Sequence, residues 1–229
     1  MLVSIIIPAY NEEKTVAALL EKVKSSRLPA GLEKEIIIIN DGSKDQTAQV
    51  LSHYEHQTGI TIIHQANGGK TAALLTGINH SKGDILLIQD ADLEYDPIQY
   101  PQLLAPILEG RTQVVYGSRF LGKIDQMKWI NRFANVTSNI TFRLLWGANI
   151  TDINTCYKIF TRKTFEGLTI VGKRFAFETE VTVKFLRRGF NIVEVPIEYQ
   201  ARSRTEGKKM KWSTALEMYW PIIKYRFSS

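Results

Sequence analysis

The sequence predicts an α/β fold, a doubly wound and mostly parallel sheet with helices on both faces and an elaborated C-terminal half. Two observations carry this. Short, almost wholly apolar runs recur through the first half, at 3–7, 35–39, 60–63, 85–88 and 114–116, as expected of parallel strands covered on both faces. Stretches with helical patterning lie between them, and strict strand–helix alternation is the signature of such a sheet.

Taken in order, helices are expected at about 12–26, 44–57, 69–81 and 98–109. In the first, Val16, Leu19, Leu20 and Val23 fall on one face. After Gly117 the regularity drops. A segment rich in Lys, Trp and Asn, 118–131, precedes a helix at about 132–146. A strand at 156–161, a helix at 177–188 and a strand at 190–199 follow. A basic loop, 200–211, then leads into an aromatic terminal helix. No repeat or linker interrupts the chain, so one domain is expected over 1–229. It comprises a nucleotide-binding half (1–117), an acceptor- and phosphate-binding part (118–211) and the terminal helix (212–229).

Composition narrows the class. Its 229 residues are enough to bury a core without disulfides. The single cysteine, Cys156, excludes an internal disulfide and reads as a buried thiol. The apolar run 2–9 is too short for a signal peptide, and no later run reaches the roughly 18 residues of a membrane span. A cytoplasmic or peripheral protein is expected. The net charge of +6 hides an asymmetry: residues 1–110 hold 8 Lys and Arg against 14 Asp and Glu, whereas 111–229 hold 21 against 9. An acidic half suits a cation, and a basic half suits phosphate or an anionic membrane face. No nucleic-acid-binding motif accompanies the charge, so nucleic acid is not an expected partner.

The chemistry concentrates at strand ends, where open α/β sheets bind ligands. The first run passes into Pro8-Ala9-Tyr10-Asn11-Glu12, the second into Asn40-Asp41-Gly42-Ser43 and the fourth into Gln89-Asp90-Ala91-Asp92-Leu93-Glu94. In an extended segment Asp90 and Asp92 point the same way. Paired carboxylates repel unless a cation joins them, and hard oxygen donors suit Mg²⁺ or Mn²⁺ carrying a diphosphate. Glu94 continues the parity as a third candidate ligand. Asn67-Gly68-Gly69-Lys70-Thr71 precedes a helix like an anion-binding turn, without the spacing of an ATPase P-loop. This makes Lys70 a candidate nucleotide contact. Each cluster also has a plain reading, as a turn, a helix cap or a solvated acidic loop.

In combination, Ile5 to Glu13, Asn40-Asp41-Gly42-Ser43, Asn67-Gly68-Gly69-Lys70, Gln89 to Glu94, Gly117-Ser118-Arg119-Phe120 and the basic run Arg202 to Lys209 resemble the GT-A fold, family 2 glycosyltransferases. Within that family the resemblance is to the dolichyl- and polyprenyl-phosphate mannose or glucose synthases. It implies that Pro8, Ala9, Tyr10, Glu12 and Asp41 hold the nucleoside. It also implies that Asp90, Asp92 and Glu94 hold the metal, and that Arg119, Arg132, Arg204 and Lys208 contact phosphates. Relatives often carry Asp where this chain has Asn40, and often carry C-terminal membrane helices.

The implied reaction moves a hexose, with inversion, from a nucleotide-diphosphate sugar (GDP-mannose or UDP-glucose) to a polyprenyl or dolichyl phosphate. Such an acceptor is already an anion and needs no general base. Positioning and charge compensation by Arg119, Arg132, Arg202, Arg204, Lys208 and Lys209 suffice. A saccharide or protein hydroxyl acceptor would need a base, for which Glu178 and Glu180 are candidates. An inactive nucleotide-sugar-binding subunit and a nucleotidyltransferase are the further alternatives. His53 and His56 read as solvated. The sequons at Asn135, Asn139 and Asn149 read as chance matches. Two aromatic-basic stretches, 128–146 and 212–227, suit contact with the cytoplasmic face of a membrane, directly or through a separate membrane subunit.

Overall fold

The computed structural model describes residues 1–172, 174, 176–202 and 222–227. Seven strands, β1 (Leu2–Ala9), β2 (Glu33–Asp41), β3 (Ile60–Gln65), β4 (Ile85–Ile88), β5 (Val114–Asp125), β6 (Lys158–Thr161) and β7 (Ile192–Gln200), form one sheet in the order β3-β2-β1-β4-β6-β5-β7. All pairings are parallel except those of β6, which runs antiparallel to both β4 and β5. The helices are α1 (Val16–Ser25), α2 (Thr47–Ser52), α3 (Lys70–His80), α4 (Tyr100–Leu108, entered through a 3-10 turn at Pro97–Gln99), α5 (Trp129–Trp146), α6 (Arg162–Phe165) and α7 (Phe177–Arg187).

The apolar runs become the core. Ile5, Ile6 and Ile7 of β1, Ile37, Ile38 and Ile39 of β2 and Leu86 and Leu87 of β4 are fully buried; Ile6 and Ile39 face Gly77 of α3, and the buried stripe Val16, Leu19, Leu20 and Val23 of α1 joins the same core. Burying such a side chain stabilises the fold by roughly 1.5–3 kcal/mol. Because β2 and β4 flank β1 on opposite sides, the chain reverses direction across the sheet at the β1/β4 boundary. This reversal opens a crevice beyond the strands' carboxyl ends.

Element order follows the sequence reading closely, with three corrections. The segment 118–131, expected to be irregular, instead continues β5 to Asp125 alongside β7, with a register break between Ser118 and Lys123. Gly122 permits this: a Cβ there would lie 2.0 Å from the Ile197 carbonyl oxygen. The following helix begins at Trp129 rather than 132, and the short α6 adds a turn that the patterning does not mark. Residues 222–227 are helical, and Ile222 packs with Phe142, Ile150 and Val183. The rest of the expected terminal helix lies outside the described residues.

Candidate active site

A cavity of about 660 Å³ opens over this crevice, within the size range of small-molecule sites. One wall is two interlocked loops. The Asn11 N–H donates to Ser43 Oγ (2.9 Å) and the Glu12 N–H to Thr47 Oγ1 (2.8 Å), while the Lys44 N–H donates to Asn11 Oδ1 (2.7 Å). Pro8, Ala9, Tyr10, Glu12 and Asp41, the residues that the resemblance assigns to the nucleoside, all line the cavity. The Asp41 carboxylate, however, is largely engaged: it accepts from the N–H groups of Gly68 (2.9 Å) and Gly69 (2.8 Å) and from Gln65 Nε2 (2.7 Å). It clamps the 67–69 turn at the head of α3. Gly42, at φ +67°, lets that turn approach; a Cβ there would come within 2.7 Å of the Asn67 nitrogen.

The floor is the segment after β4. Gln89 is fully buried, accepting from the Tyr100 (2.8 Å) and Tyr157 (2.9 Å) hydroxyls and donating to the Asp90 carbonyl (3.0 Å). This network fixes where the aspartates leave the sheet. Residues 91–94 form bends rather than the extended run expected, so simple parity fails. Asp90 and Asp92 line the cavity. Glu94 also lines it, but its carboxylate accepts from the Tyr199 hydroxyl (2.6 Å) and the Arg202 N–H (2.8 Å), turned toward β7 and the residues just past its end. Burial, then the charges of Glu94 and Asp90, push the Asp92 carboxyl up to about 8 against the pull of Arg202.

Two carboxylates side by side in the cavity are hard oxygen donors that fit a divalent cation. Among the described residues no three ligating side chains converge into a ready-made cage. The arrangement therefore fits an ion held by Asp90 and Asp92 that brings further oxygens from water and a diphosphate, as Mg²⁺-type sites do.

The cations are placed unequally. Lys70 lies between Asp90 Oδ1 (2.6 Å) and Glu178 Oε1 (2.7 Å). Burial alone would lower its pKa, and the two carboxylates reverse this, holding it well above the ordinary value. Arg119 lines the cavity but grips Asp152 through Nε–Oδ2 (2.7 Å) and Nη2–Oδ1 (2.8 Å). Arg202, expected to meet phosphate, contacts carboxylates instead: Glu12 at 2.9 Å and Asp92 at 3.0 Å. Arg132 is exposed and does not line the cavity; on α5 it is Asn131 and Asn135 that do. Arg204, Lys208 and Lys209 lie outside the described residues.

Several site residues escaped the sequence reading. Asp152 anchors Arg119 and is itself fixed by Glu194, which accepts from the Thr151 and Asp152 N–H groups. Asn135 accepts from Arg119 Nη2 and from Asn154 Nδ2, both at 3.2 Å, and Asn154 Oδ1 is buried without a hydrogen-bond partner. The i, i+4 spacing of Asn131 and Asn135 was the one readable signal. Of the two candidate bases, Glu178 lines the cavity. Glu180 does not: it is fully buried, accepting from the Val171 and Gly172 N–H groups, Lys184 and Tyr225. Cys156 lines the cavity but is buried, and burial pushes its thiol well up. His53 and His56 are exposed. Asn135 and Asn139 are buried, and Asn149 is exposed.

Comparison with known proteins places this geometry. The family described as Glycosyl transferase family 2 matches residues 4–169. An undecaprenyl-phosphate 4-deoxy-4-formamido-L-arabinose transferase of Edwardsiella ictaluri is 26% identical over 209 residues, covering 90% of this chain and 62% of the relative. The corresponding transferase of Proteus mirabilis is 29% identical at the same coverage. A dolichyl-phosphate beta-glucosyltransferase of Trichomonas vaginalis is 28% identical over 235 residues, covering 96% and 72%. The chain thus spans about 62% of the length of the two bacterial relatives. Among solved structures, glucosyl-3-phosphoglycerate synthase from Mycobacterium tuberculosis, in complex with Mn²⁺, UDP and phosphoglyceric acid, superposes with a TM-score of 0.78 at 18% identity, covering all of this chain and 79% of that one. That likeness establishes the GT-A fold, and the family match over most of the sequence establishes membership: the chain belongs to glycosyl transferase family 2.

Proposed function

We propose that this protein transfers a hexose from a nucleotide-diphosphate sugar to a polyprenyl phosphate, with inversion, at a membrane surface. The observation that carries the reading is the pairing of Asp90 and Asp92 at the switch point of the sheet, in a cavity also lined by Tyr10, Glu12 and Arg119. The named activities of the three relatives, all transferases acting on undecaprenyl or dolichyl phosphate, support the acceptor class.

In this reading the loops after β1 and β2 hold the nucleoside, and Asp90 and Asp92 hold a divalent cation. Such an ion would supply charge neutralisation for the departing diphosphate. Lys70, 2.6 Å from Asp90 Oδ1, holds that carboxylate in place. Arg119, locked by Asp152, presents a fixed positive charge to an incoming phosphate without a search through rotamers, and that preorganisation is where catalysis gains most.

The membrane contact is supported by α5. Trp129 (78% exposed), Phe133 (64%), Ile140 (49%) and Leu144 (80%) share one face of this helix, which carries Arg132 and Arg143 and no acidic residue. The same helix lends Asn131 and Asn135 to the cavity. An isoprenoid chain could therefore lie along the outer face while its phosphate reaches inward. No helix among the described residues is long and apolar enough to cross a membrane, and the proposal includes no separate membrane subunit.

A second reading, transfer to a saccharide or protein hydroxyl, is favoured by Glu178, a cavity residue with one carboxylate oxygen lacking a hydrogen-bond partner. A sugar-nucleotide panel with Mn²⁺, with and without polyprenyl phosphate, decides between them. Label entering the organic extract only with the lipid supports the first reading. Label on a water-soluble hydroxyl acceptor supports the second, and no transfer from any donor leaves a binding subunit.

A further inference from the structure

Each of the paired aspartates already holds a cation supplied by the chain. Lys70 sits 2.6 Å from Asp90 Oδ1, and Arg202 Nη2 sits 3.0 Å from Asp92 Oδ2. The second oxygen of Asp92 accepts from the Glu94 N–H at 3.1 Å. The Arg202 side chain also reaches Glu12 Oε2 at 2.9 Å and lies 3.9 Å from Glu94 Oε1. One guanidinium thus faces three carboxylates inside the cavity, where the sequence pattern calls for a cation. A divalent ion and a guanidinium drawn to the same carboxylate repel, so binding the ion requires one internal cation to give way.

The two are not equally able to leave. Lys70 is the first residue of α3 and also pairs with Glu178 at 2.7 Å. Its departure would strip the buried Glu178 carboxylate of that ion pair, a costly change. Arg202 lies beyond the end of β7 at Gln200. Its main partner Glu12 has a second contact, accepting from Thr15 Oγ1 at 2.7 Å. Arg202 is the cation that can move.

We propose that Arg202 is an internal stand-in for the divalent cation: it gives up Asp92 when the ion binds and turns to the diphosphate of the donor. This rests on the reading of Asp90 and Asp92 as the cation's ligands. Cation arrival thereby frees a guanidinium for phosphate, and before the ion arrives the site is spared an uncompensated cluster of acids. Arg202 then has opposite effects on the two ligands.

The test is Mn²⁺ binding to the full chain, followed by electron paramagnetic resonance, for the wild type, Arg202→Met, Arg202→Lys and Asp92→Asn, with folding checked by circular dichroism. Without nucleotide, Arg202→Met should bind Mn²⁺ roughly tenfold more tightly than the wild type, a coupling of ordinary size, and Arg202→Lys should stay near the wild type. With Mn²⁺ saturating, Arg202→Met should bind UDP or GDP, titrated separately, more weakly than the wild type. Equal or weaker Mn²⁺ binding by folded Arg202→Met overturns the exchange while leaving the metal site intact. Absence of any Asp92-dependent Mn²⁺ binding, even in the wild type, overturns the site reading as well.

Discussion

Asp41 accepts the N–H of Gly69 at 2.8 Å through one carboxylate oxygen, while its other oxygen accepts from the Gly68 N–H at 2.9 Å and from Gln65 Nε2 at 2.7 Å. A residue that the motif marks as a nucleoside ligand therefore also builds the wall on which Lys70 stands. Asp41→Ala should cost about 1.5–3 kcal/mol, the range for lost hydrogen bonds to a charged group. It should also weaken nucleotide binding more than Asp41→Asn, which keeps an acceptor oxygen. Urea unfolding and nucleotide titration on the same samples check both effects.

Arg119 and Asp152 form a buried, two-pronged pair. Removing one partner strands the other charge, so Asp152→Ala should destabilise the protein by about 3–5 kcal/mol. Asp152→Asn should restore part of that stability but little of the transfer rate, because Arg119 would lose its fixed orientation. Denaturation midpoints set beside kcat measure the two consequences separately.

Lys158 is fully buried, donates to the Ile153 carbonyl (2.9 Å) and lies over the Tyr116 ring at 3.6 Å. Burial outweighs the nearby Glu178, Asp152 and Glu194 and lowers its pKa to about 7. Between pH 7 and the ordinary lysine value the unfolded chain binds the extra proton, so stability rises with pH there, by at most about 1.4 kcal/mol per unit. Lys158→Met removes this dependence. Its melting temperature relative to the wild type should be highest near pH 7 and fall steadily toward pH 9; a constant difference would show that Lys158 does not titrate in this range.

The exposed stripe on α5 can be tested independently of catalysis. Trp129→Ser combined with Phe133→Ser should abolish or sharply reduce flotation with vesicles containing anionic lipid, while leaving nucleotide binding at the wild-type level. Arg132→Glu should weaken flotation in a salt-sensitive manner, since its contribution is electrostatic. Unchanged flotation of the double variant would remove α5 from the membrane contact.

The fold was legible because burial on two faces leaves a strong mark. The runs at Val3–Ile7 and Ile85–Ile88 announce central strands regardless of context. β5 was underestimated because its second half, Ser118–Asp125, carries polar and charged residues and a glycine; its pairing is fixed by β7, some seventy residues away, which local patterning does not encode. Likewise Asp90 and Asp92 were readable as a pair, but Asp152 and Asn154 were not, since each gains its role from a partner distant in sequence. Arg202 shows the same limit: its basic surroundings suggested phosphate, and its contacts are acids.

The central claim is that Asp90 and Asp92 together hold the donor through a divalent ion. Calorimetric titration of UDP-glucose and of GDP-mannose, with Mn²⁺ and with a chelator, into the wild type and Asp92→Ala tests it most directly. The expected result is binding of one donor that is lost with the chelator and reduced by at least about 100-fold in the variant, equivalent to some 2.7 kcal/mol. Donor binding of equal strength in the folded variant, or binding indifferent to the chelator, would contradict it.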